Sequence, residues 1–197
     1  FLATMSHEIR TPLNAIYGIT ELLKLEHSEM MYLDILRYST ENLLSLINNI
    51  LDFSKIKSGK FEVNKEAFQL HKLLDNLTKS LKFQAALKNN KVVLDIGKNF
   101  PDKVNGDELI LSQILNNLLI NANKFTVDGT ITLKATLSKE TANDVTVLFE
   151  VQDSGSGIKP EELELIFEKF EQATHNRGTK GTGLGLTICS QIVGMMG

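Results

Sequence analysis

Hydrophobic residues recur at helical spacing through the first quarter of the chain. Leu2, Ile9, Ile16 and Leu23 follow one another at intervals of seven, the spacing of a helix that buries one seam against other helices. After a polar break at 26–29, a second helix from about Met30 carries a broad apolar stripe, made of Leu33, Leu36, Leu43, Leu44, Ile47, Ile50 and Leu51. Because two helices cannot enclose a core, the pattern predicts a helical hairpin that forms a four-helix bundle in a homodimer.

The pattern changes after the helix-breaking pair Ser58-Gly59. Beyond it, short runs of β-type residues are interleaved with amphipathic segments. They predict strands at Phe61–Val63, Lys91–Ile96, Thr130–Leu137 and Val145–Val151, and helices at Gln69–Leu87, at Asp107–Lys124 and from Leu184. This mixture is typical of an α+β sandwich, in which helices cover one face of a mixed sheet. We therefore expect two domains, the hairpin at 1–58 and the sandwich at 59–197.

Composition narrows the classes of function. The 197 residues are 42% hydrophobic and 23% charged, as in a soluble globular protein with enough material for a core. A net charge of -3 without a Lys/Arg cluster argues against nucleic-acid binding. No apolar run approaches membrane-spanning length, so we expect a cytoplasmic module, either free or part of a membrane-anchored protein. The one cysteine, Cys189, cannot form an internal disulfide, which agrees with a reducing compartment.

A histidine with an acidic neighbour, His7-Glu8, lies on the first predicted helix. At about 100 degrees per residue, His7 is about 160 degrees from the buried Ile9 and should face solvent. Pro12 removes the amide that would bond the carbonyl of Glu8, so the helix should bend just beyond the histidine. A neutral imidazole offers a lone pair to phosphorus, and Glu8 can take the proton of the other ring nitrogen. The alternative is an exposed histidine beside an incidental carboxylate.

Two asparagines, Asn117 and Asn121, stand four residues apart on a predicted helix, so both amides project from one face. Amide oxygens are hard neutral ligands for Mg2+, which bridges phosphate oxygens. Lys124 ends the same face and can neutralise phosphate charge. The alternative is a pair of exposed amides without a ligand.

Two glycine-rich segments follow. Asp153-Ser154-Gly155-Ser156-Gly157 comes directly after a strand, where the carboxylate can accept a hydrogen bond from the amine of adenine and Gly155 and Gly157 allow close approach to a ring. An ordinary glycine turn is the alternative. The second segment, Gly181-Thr182-Gly183-Leu184-Gly185, opens a helix whose free amides form an anion site. It lacks the Gly-Lys-Ser/Thr of a Walker loop. The polar stretch from Gln172 to Lys180 before it suits a mobile lid.

Together these segments resemble the catalytic core of sensor histidine kinases. His7 to Pro12 is similar to the H box of that family, Asn117 to Lys124 to the N box, and Asp153 to Gly157 to the G1 box. Phe167 to Phe170 and Gly181 to Leu186 are similar to the F and G2 boxes. The five motifs stand in the family's order and cover nearly the whole chain. The wording of the H box is common in hybrid kinases, although this sequence contains no receiver.

The resemblance implies a protein-histidine kinase that phosphorylates itself with ATP and passes the phosphoryl group to an aspartate on a response-regulator receiver. His7 would be the phosphoacceptor, Glu8 the base or orienting acid, and Thr11 the residue that places water when the receiver is dephosphorylated. The implied ATP and Mg2+ contacts are Asn117, Asn121, Lys124, Phe125, Asp153, Gly155, Gly157, Lys180, Gly181, Thr182, Gly183, Leu184 and Gly185. Asn117 and Asn121 would hold the metal, Lys124 the phosphates and Phe125 the adenine.

Two other classes remain open beside the kinase. One is a related ATPase, such as a chaperone or topoisomerase module. That class does not account for the helix pair that bears His7. The other is a scaffolding protein with a degenerate nucleotide site, although every motif position is intact. The family usually continues beyond Gly197 into further strands and begins its acceptor helix before Phe1, so we expect this chain to be a fragment.

Overall fold

The computed structural model describes residues 62–163, 165–167 and 185–196, together with positions 13, 14, 16, 18, 19, 40, 43 and 47. Those isolated positions are helical, as expected for the first two segments. His7, Glu8, Thr11 and the loop from Lys180 to Leu184 lie outside the described residues. The dimeric bundle therefore stays a prediction, and the geometry below concerns the second domain.

The described part of that domain contains five strands and three α-helices. The strands are β1 (Glu66–Gln69), β2 (Lys91–Ile96), β3 (Lys103–Gly106), β4 (Thr130–Glu140) and β5 (Val145–Asp153). The helices are α1 (Leu70–Ala86), α2 (Glu108–Phe125) and α3 (Gly185–Met196), and two 3-10 turns lie at Pro160–Glu162 and Leu165–Phe167.

The larger sheet is mixed. It has the order β2-β4-β5, with β2 parallel to β4 and β5 antiparallel to β4. The parallel pair places Lys91 opposite Thr130, and the antiparallel pair places Asp153 opposite Ile131. The start of β2, the start of β4 and the end of β5 therefore lie side by side at one end of the sheet. A separate two-stranded sheet pairs β1 with β3 in antiparallel register.

Helices α1 and α2 cover one face of the larger sheet. Their inner residues pack on alternate residues of β2 and β4; the fully buried members of this cluster are Leu74, Ala85, Leu115, Leu119, Ile131, Leu133 and Ala135. Helix α3 packs against α2 through a second cluster, formed by Ile110, Ile114, Ile188, Cys189 and Ile192. The prediction of an α+β sandwich with helices on one face of a mixed sheet is confirmed for this domain.

One predicted strand is wrong. Of the segment Phe61–Val63, the described residues are irregular, and the first strand begins instead at Glu66. Its partner, β3, was not expected from the sequence at all. Each strand is only four residues long and has a single large apolar residue, Phe68 in β1 and Val104 in β3, so neither carries the repeated alternation that reveals a longer strand. The pairing depends on Phe68 and Val104 lying opposite each other, which is a contact distant in sequence.

Among the residues that the structure describes, no helix is long and apolar enough to cross a bilayer.

Candidate nucleotide-binding site

The start of α2 is set by a buried carboxylate. Asp107 is the N-cap, and its Oδ1 accepts a hydrogen bond from the amide of Ile110 at 3.0 Å. Its Oδ2 accepts a second from the amide of Asn64 at 2.8 Å, which ties the segment before β1 to the helix. An N-cap of this kind stabilises a helix by about 1 kcal/mol and fixes where it begins. Asp107 therefore fixes the start of the helix that carries Asn117 and Asn121.

Asn117 and Asn121 are both half-buried on α2. Asn117 Nδ2 donates a hydrogen bond to the sulfur of Cys189 on α3, at 3.6 Å. A Cβ placed on Gly185, the first residue of α3, would lie 4.0 Å from the amide carbon of Asn117. The structure thus brings the end of the second glycine-rich segment against the first asparagine, a contact that spans about 70 residues and that spacing alone does not reveal.

Cys189 serves as a packed thiol beside this contact. Burial raises the pKa of the Cys189 thiol above its ordinary value, and the hydrogen bond from Asn117 lowers it by less. The sulfur also lies 3.9 Å from the carbonyl oxygen of Ile114, to which the thiol can donate. Because the thiol contacts the nitrogen of the Asn117 amide, the amide oxygen, through which an asparagine can coordinate a metal, takes no part in that bond.

The C-terminal end of α2 carries Lys124 and Phe125 side by side. The ammonium of Lys124 lies 4.9 Å from the centre of the Phe125 ring, within the range of a cation–π contact. Both side chains are half-buried. One cationic group and one aromatic face therefore share the end of the helix that also bears Asn121 one turn earlier.

The first glycine-rich loop starts at the last residue of β5. Asp153 is exposed, and its Oδ1 accepts a hydrogen bond from the amide of Gly155 at 2.8 Å, which orients the carboxylate. Gly155 itself lies against the end of α2, since a Cβ built there would be 2.4 Å from the carbonyl oxygen of Phe125. The amide of Ser156 donates to the same oxygen at 3.4 Å. The loop and the helix end therefore form one connected surface.

Gly157 has a different role from Gly155. Its φ of +70° lies in the left-handed region, and a Cβ there would meet nothing within 4 Å. Glycine is required at 157 by backbone conformation, whereas at 155 it is required by lack of space.

We expect Gly155→Ala to separate the loop from α2. The added methyl group would meet the Phe125 carbonyl, and such overpacking costs about 1–3 kcal/mol. Nucleotide affinity and the unfolding temperature should both fall, as measured by fluorescent-nucleotide displacement and thermal unfolding. Gly194→Ala is the matched control, because a Cβ at that helical position meets nothing within 4 Å. Equal behaviour of the two variants would contradict a packing role for Gly155.

The donor set on α2 suits magnesium held against a triphosphate. Two amide oxygens four residues apart are neutral oxygen ligands, and Lys124 offers a positive charge to phosphate oxygens. Within the described ranges, no group of three or more His, Cys, Asp or Glu side chains could hold a metal by itself. Magnesium at such a pair of amides would need further oxygen ligands from phosphates or water.

Several residues at this site were missed by sequence reasoning. Lys88 Nζ donates to the carbonyl oxygens of Asn123 and Lys124, both at 3.0 Å, and so satisfies the end of α2. Asn90 connects α2 and the loop after it to the start of β2. A basic residue near a helix end and an asparagine in a turn are weak local signals, and nothing in the sequence pairs Lys88 and Asn90 with residues 33 to 39 positions away.

Two family models match the chain in succession. Residues 1–59 match the His Kinase A (phospho-acceptor) domain. Residues 106–197 match the Histidine kinase-, DNA gyrase B-, and HSP90-like ATPase. The second model includes the whole of α2, the first glycine-rich loop and α3.

Curated relatives align with the entire chain. The sensor protein GacS of Pseudomonas syringae pv. syringae is 43% identical over 100% of this chain and 22% of its own length. The autoinducer 2 sensor kinase/phosphatase LuxQ of Vibrio parahaemolyticus is 41% identical over 100% of this chain and 24% of its own length. The chain thus spans less than a quarter of the length of these relatives.

A solved structure has a similar fold. The crystal structure of full-length ShkA in complex with AMPPNP is 34% identical and has a TM-score of 0.69. The match covers 99% of this chain and 40% of ShkA.

Proposed function

The chain belongs to the histidine kinase family, and from that membership we propose that it is the catalytic core of a protein-histidine kinase. It transfers the γ-phosphoryl group of ATP to His7 and then to an aspartate on a response-regulator receiver. The observation that carries the proposal is the joining of α2 with the loop at 153–157 through the Phe125 carbonyl, in a chain that also matches the phospho-acceptor domain.

We propose that Ser58-Gly59 marks the boundary between two domains with different functions. Residues 1–58 form the dimerisation and phosphoacceptor domain, and residues 59–197 bind ATP. The separate matches to residues 1–59 and 106–197 support this division. The apolar stripe that includes Ile47 supports a homodimer, because a lone hairpin would leave the stripe in water. We further propose that the domain works in the cytoplasm, where receivers are found.

The ATP-binding half of the proposal rests on complementary groups at the two ends of a nucleotide. Asp153, oriented by the Gly155 amide, offers an acceptor to the exocyclic amine of adenine. Asn117, Asn121 and Lys124 offer metal ligands and a positive charge to the phosphates. The lysine and glycine loop from Lys180 to Gly185 is proposed to complete the phosphate side. The complex of ShkA with AMPPNP supports ATP as the nucleotide.

The proposed phosphoryl transfer needs only ATP, His7 and Glu8 as reacting groups. A ring nitrogen of neutral His7 attacks the γ-phosphorus, the bond from phosphorus to the β,γ-bridging oxygen breaks, and ADP leaves. Glu8 accepts the proton from the other ring nitrogen, so the phosphohistidine ends neutral at the ring. Magnesium, when bound, spreads the negative charge that develops on the phosphate oxygens.

A phosphatase activity toward the receiver is proposed beside the kinase activity. Thr11, four residues after His7, carries a hydroxyl that can orient water toward an aspartyl phosphate. LuxQ, which aligns with the whole of this chain, is described as a kinase/phosphatase. The same helix would then serve both directions of the signal.

Autophosphorylation can be tested by incubating the protein with γ-labelled ATP and magnesium. The label should be acid-labile and base-stable, as a phosphohistidine is, and should pass to an added receiver domain. An acid-stable label would indicate a hydroxyl acceptor, and ATP hydrolysis without any label would favour a related ATPase.

We expect Asp153→Asn to reduce discrimination between ATP and GTP by about tenfold or more. Asparagine presents a donor where only acceptors stood, so the amine of adenine loses its specific partner. Competition of ATP and GTP against a fluorescent nucleotide gives the ratio. Asp95→Asn, an exposed change on β2, is the control and should leave the ratio unaltered. An unchanged ratio in Asp153→Asn would remove adenine recognition from this residue.

A further inference from the structure

A buried asparagine outside every motif is bonded to the loop that follows α2. Asn90 is 8% exposed and stands between the turn that ends α1 and the start of β2. Its Nδ2 donates to Asn123 Oδ1 at 3.0 Å and to the carbonyl oxygen of Thr126 at 2.8 Å. Its Oδ1 accepts from the amide of Gly129 at 3.0 Å. Both hydrogens of the amide and its oxygen are therefore engaged.

These bonds hold the segment at 126–129, here called the 126–129 loop. The loop leaves α2 in extended conformation at Thr126 and passes through Asp128, whose φ of 52° is in the left-handed region. Backbone bonds also anchor it, from the Asp128 amide to the Lys88 carbonyl at 3.0 Å and from the Lys91 amide to the Gly129 carbonyl at 2.8 Å. The side chain of Asn90 adds contacts at both ends of the loop and to α2 itself.

The far end of the 126–129 loop reaches the adenine side of the site. A Cβ on Gly129 would be 2.4 Å from Ser154 Oγ, so the loop packs closely against the residue after Asp153. Ser154 Oγ accepts from the amide of Thr130 at 2.9 Å, and the Ser154 amide donates to the Thr130 carbonyl at 3.1 Å. A continuous set of hydrogen bonds thus runs from Asn90 to the neighbour of Asp153.

The near end of the loop continues α2, which bears Asn121, Lys124 and Phe125. Asn123, one of the partners of Asn90, is 7% exposed and lies between Asn121 and Lys124 in the sequence. The Asn123 side chain is buried and its Oδ1 accepts from Asn90, so this bond ties the last turn of α2 to the start of β2. One side chain therefore restrains both the phosphate side and the adenine side of the site.

We propose that Asn90 is a positioning residue that keeps Asp153 at a fixed separation from Asn121 and Lys124, so that one nucleotide can reach all three. The inference rests on the proposed ATP binding. A ligand that spans both sides needs this separation, whereas adenosine engages the Asp153 side alone. Loss of Asn90 should therefore weaken ATP binding much more than adenosine binding.

The test compares Asn90→Ala with Asn76→Ala in the full chain. Asn76 is an exposed residue of α1, so its replacement makes the same chemical change outside the network. Affinities for Mg-ATP and for adenosine are measured by displacement of a fluorescent nucleotide. We expect Asn90→Ala to lose about tenfold or more in ATP affinity and less than about threefold in adenosine affinity, and Asn76→Ala to lose neither.

Hydrogen exchange supplies a readout independent of ligand. The Ser156 amide bonds the Phe125 carbonyl at the end of α2, so its exchange reports on how firmly the loop at 153–157 is held against that helix. In Asn90→Ala, exchange should rise in the 126–130 and 153–156 peptides but stay unchanged in α3. Ser154→Ala, at the exposed end of the network, serves as a second variant if Asn90→Ala does not fold, and it should also reduce the preference for ATP over adenosine.

The outcomes distinguish this inference from the proposed function. Equal losses for ATP and adenosine, or exchange that rises only in the 126–130 peptide, would show that Asn90 supports the fold without positioning the site. Wild-type protein that binds no nucleotide would overturn the proposed function instead. In that case the exchange at 153–156 still decides whether Asn90 controls the Asp153 loop.

Discussion

Replacing His7 with glutamine should abolish phosphoryl transfer to the protein while leaving ATP affinity within about twofold of the wild type. Glutamine has similar length and polarity but no nucleophilic nitrogen lone pair, since its amide nitrogen is delocalised. The acceptor and the nucleotide site belong to different proposed domains, so the change should not reach the ATP contacts. Labelling with γ-labelled ATP and nucleotide displacement measure the two properties on the same preparation.

The matched control is His71→Gln. His71 is exposed on α1, where its ring makes a T-shaped contact with Phe100 at 5.4 Å between centroids, and it belongs to none of the motifs. The control should remain fully labelled. Persistent labelling of His7→Gln would move the acceptor elsewhere, and loss of ATP binding in that variant would show that the two domains are not independent.

The elements with strong periodicity were predicted nearly to the residue. The strand Lys91–Ile96 has the predicted bounds, and the helix predicted at Asp107–Lys124 is observed at Glu108–Phe125 with Asp107 as its cap. Amphipathic patterns of this length report burial directly. The strand placed at Phe61–Val63 was wrong because a run of three residues has no periodicity to read, and the pairing of β1 with β3 is decided by tertiary contacts.

At the candidate site, too, spacing within one helix was predictable from the sequence and contacts between distant segments were not. The four-residue spacing of Asn117 and Asn121 on a helix was visible in the sequence, and the structure places both on α2 as half-buried side chains. The contact of Asn117 with Gly185 and Cys189 was not visible, because it requires α3 to pack on α2. Asn90 was also missed, since a buried turn asparagine and an exposed one look identical in a single sequence.

Asn121→Asp should lower the rate of autophosphorylation by about two orders of magnitude. The substitution has two opposing effects. A carboxylate is a stronger magnesium ligand than an amide, so magnesium alone should bind no more weakly. The new carboxylate also places a negative charge beside the phosphates. Because it lies three residues before Lys124 on the same helix, it can pair with that lysine, which then binds the phosphates less well. Repulsion between unit charges about 4 Å apart costs about 4 kcal/mol at an effective dielectric constant near 20, so the loss should dominate.

Asn116→Asp tests whether the added charge or its position matters. Asn116 is an exposed residue of the same helix, five positions before Asn121, so the variant has the same net charge with the carboxylate on a different face. Asn116→Asp should keep both Mg-ATP affinity and turnover within about twofold of the wild type. In Asn121→Asp, raising the ionic strength should not fully restore the affinity or the turnover, because partly buried charges are screened less than exposed ones. Titrations of ATP at fixed magnesium, and of magnesium at fixed ATP, separate the two effects. If the two variants lose activity equally, the cause is the overall charge of α2, and Asn121 is not a ligand at the phosphates.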